Sequence, residues 1–317
     1  MRVVTEDEIK RVFDLDGALA LTREIYAMAA RGAADVSRPA AMGLRGARGT
    51  EGRFKVKGAV LDELGVAGFR LIGDADPAHG RDHAYCYLVD ARTMAPLALV
   101  EEEWLHGVRT ALTGVVAVEA LAPADAADIA IVGTGRIARH LASFLATTRP
   151  QARMTLASRS PERAAAAAAR WSEAFGAPFD AAASVPEAVR AARVVVTISD
   201  ADERLFSADD LRPGTLVCAM GGRREFDRDV LDRADRLIVD EIDFVCAAGN
   251  VASWIASGAT SRAEVEGALD ATIGQVIADR GSLPTGADEI CLAVIQGMAA
   301  CDIGLAKWVL DRSRGSA

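Results

Sequence analysis

The feature that most limits the fold is Gly133-Thr134-Gly135-Arg136-Ile137-Ala138, because of what stands on either side of it. The apolar stretch Ile129-Ala130-Ile131-Val132 leads in, and a helical pattern from Ile137 to about Thr147 leads out. A G-x-G-x-x-G/A loop between a buried strand and a helix is the phosphate loop of a dinucleotide-binding unit. The first glycine permits the tight turn. The second lets backbone N–H groups approach a pyrophosphate, and Ala138 in the third place keeps helix and strand close. The positive end of the helix dipole then faces the phosphates. The pattern continues downstream. Strands are expected at 154–157, 179–181, 194–198, 216–220 and 237–240, with helices at 161–175 and 185–192. Strands alternating with helices predict an α/β fold with a parallel, doubly wound Rossmann sheet.

The chain before this unit has a different rhythm. Thr5 and Glu8 have the spacing of a capping box, followed by helical patterns over Ile9–Phe13 and Leu19–Met28. Ser37-Arg38-Pro39 turns the chain into extended structure. Residues 53–100 read as strand after strand, and 101–121 as a helix that Pro123 ends. This is an α+β pattern. Residues 288–309 read as one amphipathic helix through Ile290, Val294, Met298, Ile303, Leu305 and Trp308. A simple nucleotide fold has no place for it, so it is expected to complete the first domain. The expected division is 1–122 plus 288–317, and 123–287 for the Rossmann domain.

Composition excludes several classes of function. Against 36 basic side chains stand 45 acidic ones, a formal charge of −9, which speaks against a nucleic-acid partner. The 5 cysteines form no CxxC pair, and the 4 histidines have no ligand spacing, so no metal site is expected. The N-terminus is charged, and no run reaches the roughly 20 apolar residues that span a bilayer. A cytoplasmic protein without a membrane partner is the expectation.

The end of the second Rossmann strand separates the two nicotinamide cofactors. NAD enzymes place Asp or Glu there for the ribose 2′-hydroxyl. Here the residues are Ser158-Arg159-Ser160. An arginine between two hydroxyls suits a 2′-phosphate, and Arg136 adds a second cation. NADP is therefore expected over NAD. The expected cofactor set is Gly133, Thr134, Gly135, Arg136, Ile137, Ser158, Arg159 and Ser160, with Thr197 and Met220 at the ends of later strands.

Further stretches make the reading narrower. These are Ser37-Arg38-Pro39, Asp76-Pro77 through Gly80, Leu88-Val89-Asp90, Arg109-Thr110-Ala111 just before the Rossmann unit, and Arg223-Arg224-Glu225-Phe226-Asp227 after its fifth strand. With the glycine loop and the order of the parts, they resemble the ornithine cyclodeaminase/μ-crystallin family over nearly the whole chain. The resemblance implies a homodimer that binds NAD or NADP and acts at the α-carbon of amino or imino acids. The first domain would then be a substrate-binding and dimerisation domain. The resemblance also implies that Arg109 clamps the substrate carboxylate, with Arg38 as a second carboxylate-side group. The chemistry agrees, since a planar guanidinium grips a carboxylate bidentately and so fixes the α-carbon for hydride transfer.

The chain departs from the family at three places, one of them Arg136-Ile137, where the glutamine common after the second glycine is replaced. Many members have a lysine where this chain has Arg70, and arginine stays protonated. Lys57 on the preceding strand is expected to supply the missing amine, with Lys55 on the same face. Cyclodeaminases carry an aspartate in a longer loop after the fifth strand, whereas Gly221-Gly222 here runs straight into Arg223-Arg224; Asp227 is expected to cap the next helix. The expected protein is an NADP(H)-dependent oxidoreductase acting on the C–N bond of a small carboxylate-bearing amino or imino acid. Lys57 and Arg109 would be catalytic, and Arg38, Lys57, Arg70 and Arg109 would surround the substrate. So many cations suggest a second acidic group on that substrate. The alternatives are an NAD-dependent cyclodeaminase that releases ammonia, and a crystallin-like protein that binds NADPH without turnover.

Overall fold

Thr5 caps the first helix as its spacing to Glu8 predicts, with both bonds of the capping box formed. That helix, α1 (Glu6–Val12), follows strand β1 (Arg2–Val4). Asp14 then caps α2 (Leu15–Ala30) through the Gly17 N–H at 3.1 Å. The structure, a computed structural model, describes residues 1–45, 53–74 and 83–315. Asp76-Pro77 through Gly80, part of the family resemblance, lies outside the described residues. The chain divides into two compact units, residues 1–109 with 297–317, and residues 110–296.

In the first unit, β2 (Ala34–Val36), β3 (Met42–Arg45), β4 (Arg53–Leu61), β5 (Val66–Asp74), β6 (His83–Asp90) and β7 (Pro96–Glu101) join β1 in one sheet. Its order is β1-β7-β6-β5-β4-β2, with β3 also on β4. Among the described residues only β1 against β7 is parallel in this sheet. Register places Lys57 opposite Arg70, Arg70 opposite Cys86, and Cys86 opposite Val100. These residues share a face, because directly paired residues point the same way. The face is buried: Ala59, Leu61, Leu88 and Ala98 lie on it too.

Helix α3 (Glu103–Leu121) crosses the boundary between the units, which falls after Arg109. The second unit then runs β8 (Asp128–Val132), α4 (Arg136–Thr148), β9 (Arg153–Ala157), α5 (Pro161–Phe175), β10 (Phe179–Ala181), α6 (Val185–Ala191), β11 (Val194–Thr197), β12 (Thr215–Ala219), α7 (Asp229–Arg233) and β13 (Arg236–Val239). It continues with α8 (Ile242–Val245), α9 (Gly249–Ala256), α10 (Arg262–Gly267), β14 (Leu269–Thr272), α11 (Ile273–Arg280) and β15 (Ile290–Val294). All pairs in its 8-stranded sheet are parallel, in the order β10-β9-β8-β11-β12-β15-β13-β14. This is the expected Rossmann sheet. The order reverses between β8 and β11, and ligands of such sheets bind at the strand ends beside that reversal.

The expected helix over 288–309 is two elements. Ile290–Val294 is fully buried and pairs with β12 and β13. A central parallel strand is covered on both faces, so it reads as an unbroken apolar run, and a helical period fits such a run equally well. Gly297, at φ +87°, turns the chain, and α12 (Ala299–Arg314) follows. The second unit therefore keeps residues up to 296, and only α12 returns to the first, where it packs on α2 and the inner face of β4, β5 and β6. No helix among the described residues is long and apolar enough to cross a membrane.

Candidate functional site

Unit by unit, the predicted residues fall into two groups. In the second unit, Gly133 leaves β8 at φ +134° and donates its N–H to the Ala157 carbonyl at 2.9 Å. A Cβ there would run into the Ile198 carbonyl oxygen, so the position admits only glycine. Gly135 is the N-cap residue of α4, and no side chain caps that helix. The space a Cβ would fill at Gly135 is open. The first N–H groups of α4 thus face an uncrowded backbone surface, which is what an anion needs. Ala138 is buried, closing helix onto strand. These residues fit the pyrophosphate of a dinucleotide.

Beyond β9, Ser158 Oγ donates to the Ser160 carbonyl at 2.6 Å, and Ser160 caps α5 through Arg163 N. Arg159 is exposed and held by Glu203 at 3.2 Å and Asp200 at 3.7 Å. Arg136 is exposed at the start of α4. Two members of the expected cofactor set turn inward instead. Thr197 is fully buried and donates to Glu225 Oε2 at 2.6 Å. Met220 is buried against Gly114. Their side chains therefore build the interior beneath the strand ends. Asp227 does not cap the next helix either: α7 starts after Arg228 with no side-chain cap, and Asp227 lies 3.8 Å from Arg204 and 3.9 Å from Arg224.

The first unit buries a group of charges. Lys57 is 2% exposed, Arg70 4%, Arg109 3%, Glu102 0% and Asp302 1%. Lys57 Nζ donates to the Gly297 carbonyl at 2.6 Å and lies 4.0 Å from Asp302. Arg70 Nε pairs with Glu102 and stands 3.9 Å from Asp302. Arg109 Nε pairs with Asp302. Asp302 on α12 is thus the shared partner of all three cations. A Cβ on Gly297 would collide with Arg109 Nη1, so this glycine makes room for the guanidinium while its carbonyl holds the lysine. Arg109 Nη1 is buried and has no hydrogen-bond acceptor among the described residues.

Burial sets the protonation of this group. It pulls the Lys57 ammonium down to about 7, helped by Arg109, Arg70 and Lys55 and opposed by Asp302. Burial pushes Glu102 up, against the pull of Arg70. For Asp302 burial also acts upward, but Arg109, Arg70 and Lys57 outweigh it and hold the carboxyl below its ordinary value. The Glu102, His106 and Asp302 ligand atoms converge within 4.8 Å, yet arginines already supply the positive charge facing both carboxylates.

The structure brings together Lys57, Arg70 and Arg109 and leaves Arg38 outside, exposed and paired with Asp35 at 2.9 Å. Glu102 and Asp302 are additions that the sequence reading lacked. Asp302 did carry a signal: it stands four residues after Met298 and three before Leu305, on the apolar stripe of α12. A carboxylate on a buried stripe needs partners. Glu102 carried none, as the middle of Glu101-Glu102-Glu103.

The sequence profile of the ornithine cyclodeaminase/mu-crystallin family matches residues 3–317. The chain belongs to this family. A Δ1-pyrroline-2-carboxylate reductase of Bacillus cereus is 28% identical over 231 residues, 71% of this chain and 70% of that protein. An alanine dehydrogenase of Archaeoglobus fulgidus is 24% identical over 321 residues, 98% of this chain and 94% of that one. Among solved structures, the Thermococcus litoralis Δ1-pyrroline-2-carboxylate reductase in complex with NADH and L-proline superposes with a TM-score of 0.87 at 19% identity, covering 100% of this chain and 98% of the other. That likeness is one of fold.

Proposed function

We propose that this family member is an NADP(H)-dependent oxidoreductase acting on the C–N bond of a small α-imino or α-amino acid. One observation carries the reading: Arg109 is buried, fixed by Asp302, and among the described residues keeps a guanidinium nitrogen without an acceptor, in a group with a lysine that burial brings to about 7. The bound nicotinamide supplies or accepts the hydride. The chain does the rest. Arg109 holds the α-carboxylate and so orients the α-carbon. Lys57 holds a proton that it can release near neutral pH, as a donor to an imine nitrogen must. Arg70, always charged and tied to Glu102, adds positive field without carrying a proton.

Counting the acids changes the expected substrate. Lys57, Arg70 and Arg109 face Glu102 and Asp302, a surplus of one positive charge. A second substrate carboxylate therefore loses the support that the cations alone gave it. The relatives fit this reading, since they include a reductase of a cyclic imino acid and an alanine dehydrogenase.

NADP preference is supported by Arg159 at the end of β9, which Glu203 and Asp200 hold in place. Arg159→Ala is expected to raise KM for NADPH about 10- to 100-fold and leave KM for NADH nearly unchanged. Absorbance at the nicotinamide band, with Δ1-pyrroline-2-carboxylate and related imines as substrates, measures both this ratio and the activity. Ammonia release without net cofactor change would replace the reading with cyclodeamination, and tight NADPH binding without turnover would replace it with a binding protein.

A homodimer belongs to the same proposal. The outer face of the first unit's sheet is apolar: Phe54 is 40% exposed, Val60 and Phe69 37%. A groove of about 400 Å³ on that face is lined by Val60, Ala67, Phe69, Tyr87 and Val89 among others. An antiparallel sheet usually shows polar residues to water on its second face, so an apolar one calls for a cover. A second copy matches the family. Sedimentation is expected to give a dimer, and Phe69→Asp a monomer; monomeric wild-type protein at micromolar concentration would refute the dimer.

A further inference from the structure

The loop after β12 carries a carboxylate that none of the roles above uses. Glu225 is fully buried. Its carboxylate accepts from Thr197 Oγ1 at 2.6 Å, Ser199 Oγ at 2.7 Å and the Ser199 backbone N–H at 2.8 Å. It also sits over Gly221, where a Cβ would run into it. Its own backbone is fixed from both ends. Asn250 Oδ1, fully buried on α9, accepts from the N–H of Glu225 at 2.7 Å and of Phe226 at 3.2 Å. The Leu205 N–H donates to the Glu225 carbonyl at 2.7 Å. A buried carboxylate is costly unless donors fill its lone pairs, and here two hydroxyls and a backbone N–H do so. Burial still pushes its pKa up, against those donors.

The peptide between Ile198 and Ser199 gives this latch a purpose. Its carbonyl oxygen is the atom a Cβ on Gly133 would strike, so the first glycine of the phosphate loop rests on it. The N–H of the same peptide is held by Glu225. One peptide unit thus touches the phosphate loop on one side and the buried carboxylate on the other. Thr197, at the end of β11, belongs to the same latch.

We infer that Glu225 is a positioning residue of the dinucleotide site, locking the Ile198–Ser199 peptide against Gly133 and so fixing the seat of the phosphate loop. The inference rests on the reading of residues 133–138 as the pyrophosphate loop. In Glu225→Gln the charge is lost and an –NH2 takes the place of one acceptor oxygen, so the Ser199 N–H, Ser199 Oγ and Thr197 Oγ1 are no longer all held by a carboxylate and the grip on the peptide weakens.

The test titrates NADPH into the full-length protein by fluorescence, with melting temperature and hydrogen exchange at the Ser199 amide read on the same samples. Glu225→Gln is expected to weaken NADPH binding about 10- to 100-fold and to speed Ser199 exchange. Val265→Ala, in the core of the same unit, is expected to lower the melting temperature while leaving the NADPH dissociation constant within about twofold. That contrast separates positioning from general support of the fold. Should Glu225→Gln not fold, Thr197→Val, which withdraws one donor, carries the test with an expected weakening of about 3- to 10-fold. A folded Glu225→Gln, or in its place Thr197→Val, that binds NADPH within twofold of wild type overturns the inference alone. Wild-type protein that binds neither NADPH nor NADH overturns the reading of the loop, and the inference with it.

Discussion

Replacing Arg109 with alanine is expected to lower kcat/KM for the imino acid on the order of 10³-fold. The side chain has two tasks, and both lie in the buried interior. Its Nε holds Asp302, and its Nη1, in the room that Gly297 leaves, is the donor that the proposed function assigns to the substrate carboxylate. Without it the surplus positive charge of the group vanishes, and Asp302 keeps only Arg70 at 3.9 Å and Lys57 at 4.0 Å. Removing one partner of a buried ion pair costs roughly 3–5 kcal/mol, so the alanine variant should also melt earlier. Arg109→Lys separates the two tasks. It restores the charge beside Asp302 and should recover much of the stability. It cannot offer a bidentate fork, so KM should stay high. Steady-state kinetics beside thermal unfolding checks both. A lysine variant with wild-type KM would show that Arg109 supports the fold and does not clamp the substrate.

What the sequence disclosed follows from how local each signal is. The strand, glycine turn and helix at 129–148 were legible because they are contiguous, and a dinucleotide loop needs that order within a few residues. Arg109, Arg70 and Lys57 were legible as residue types, through family resemblance and strand alternation. Their mutual placement was not, because it depends on β4–β5 register and on α12, some 240 residues after Lys57. Asp302 is hidden by the apolar stripe of α12 on which it stands, although a charged residue on such a stripe is the informative one. β15 was misread because a strand buried on both faces has lost the alternation that would mark it. Thr197 was assigned to the cofactor from its place at a strand end. Which way a strand-end side chain points depends on what lies beneath, and beneath it lies Glu225. Arg38 shows the reverse case: an arginine beside a family motif that the fold leaves at the surface with Asp35.

The pH dependence of the reaction gives the second large effect, because Lys57 is brought to about 7. The groups facing it have opposed influences: burial, Arg109, Arg70 and Lys55 disfavour its charge, and Asp302 favours it. Below that value the ammonium is present, able to attract a carboxylate and to hand a proton to an imine nitrogen. Above it the amine is neutral and does neither. In the reductive direction kcat/KM is therefore expected to be level on the acid side and to fall about tenfold per pH unit above about 7. The oxidative direction needs the free amine as proton acceptor, so its kcat/KM should rise with pH up to about 7 and then level off. Lys57→Met fills the same volume without the proton, and should lower the reductive plateau about 10²- to 10⁴-fold and erase the alkaline fall. Glu102, which burial also pushes upward, provides the competing account. Its protonation on the acid side adds to the positive surplus and would favour carboxylate binding over the same pH range. The two differ in Lys57→Met, where a limb due to Glu102 persists in KM and one due to Lys57 disappears. An alkaline limb that survives unchanged in that variant assigns the titration to Glu102 or to the imine itself, and leaves Lys57 as a buried cation that binds but does not transfer.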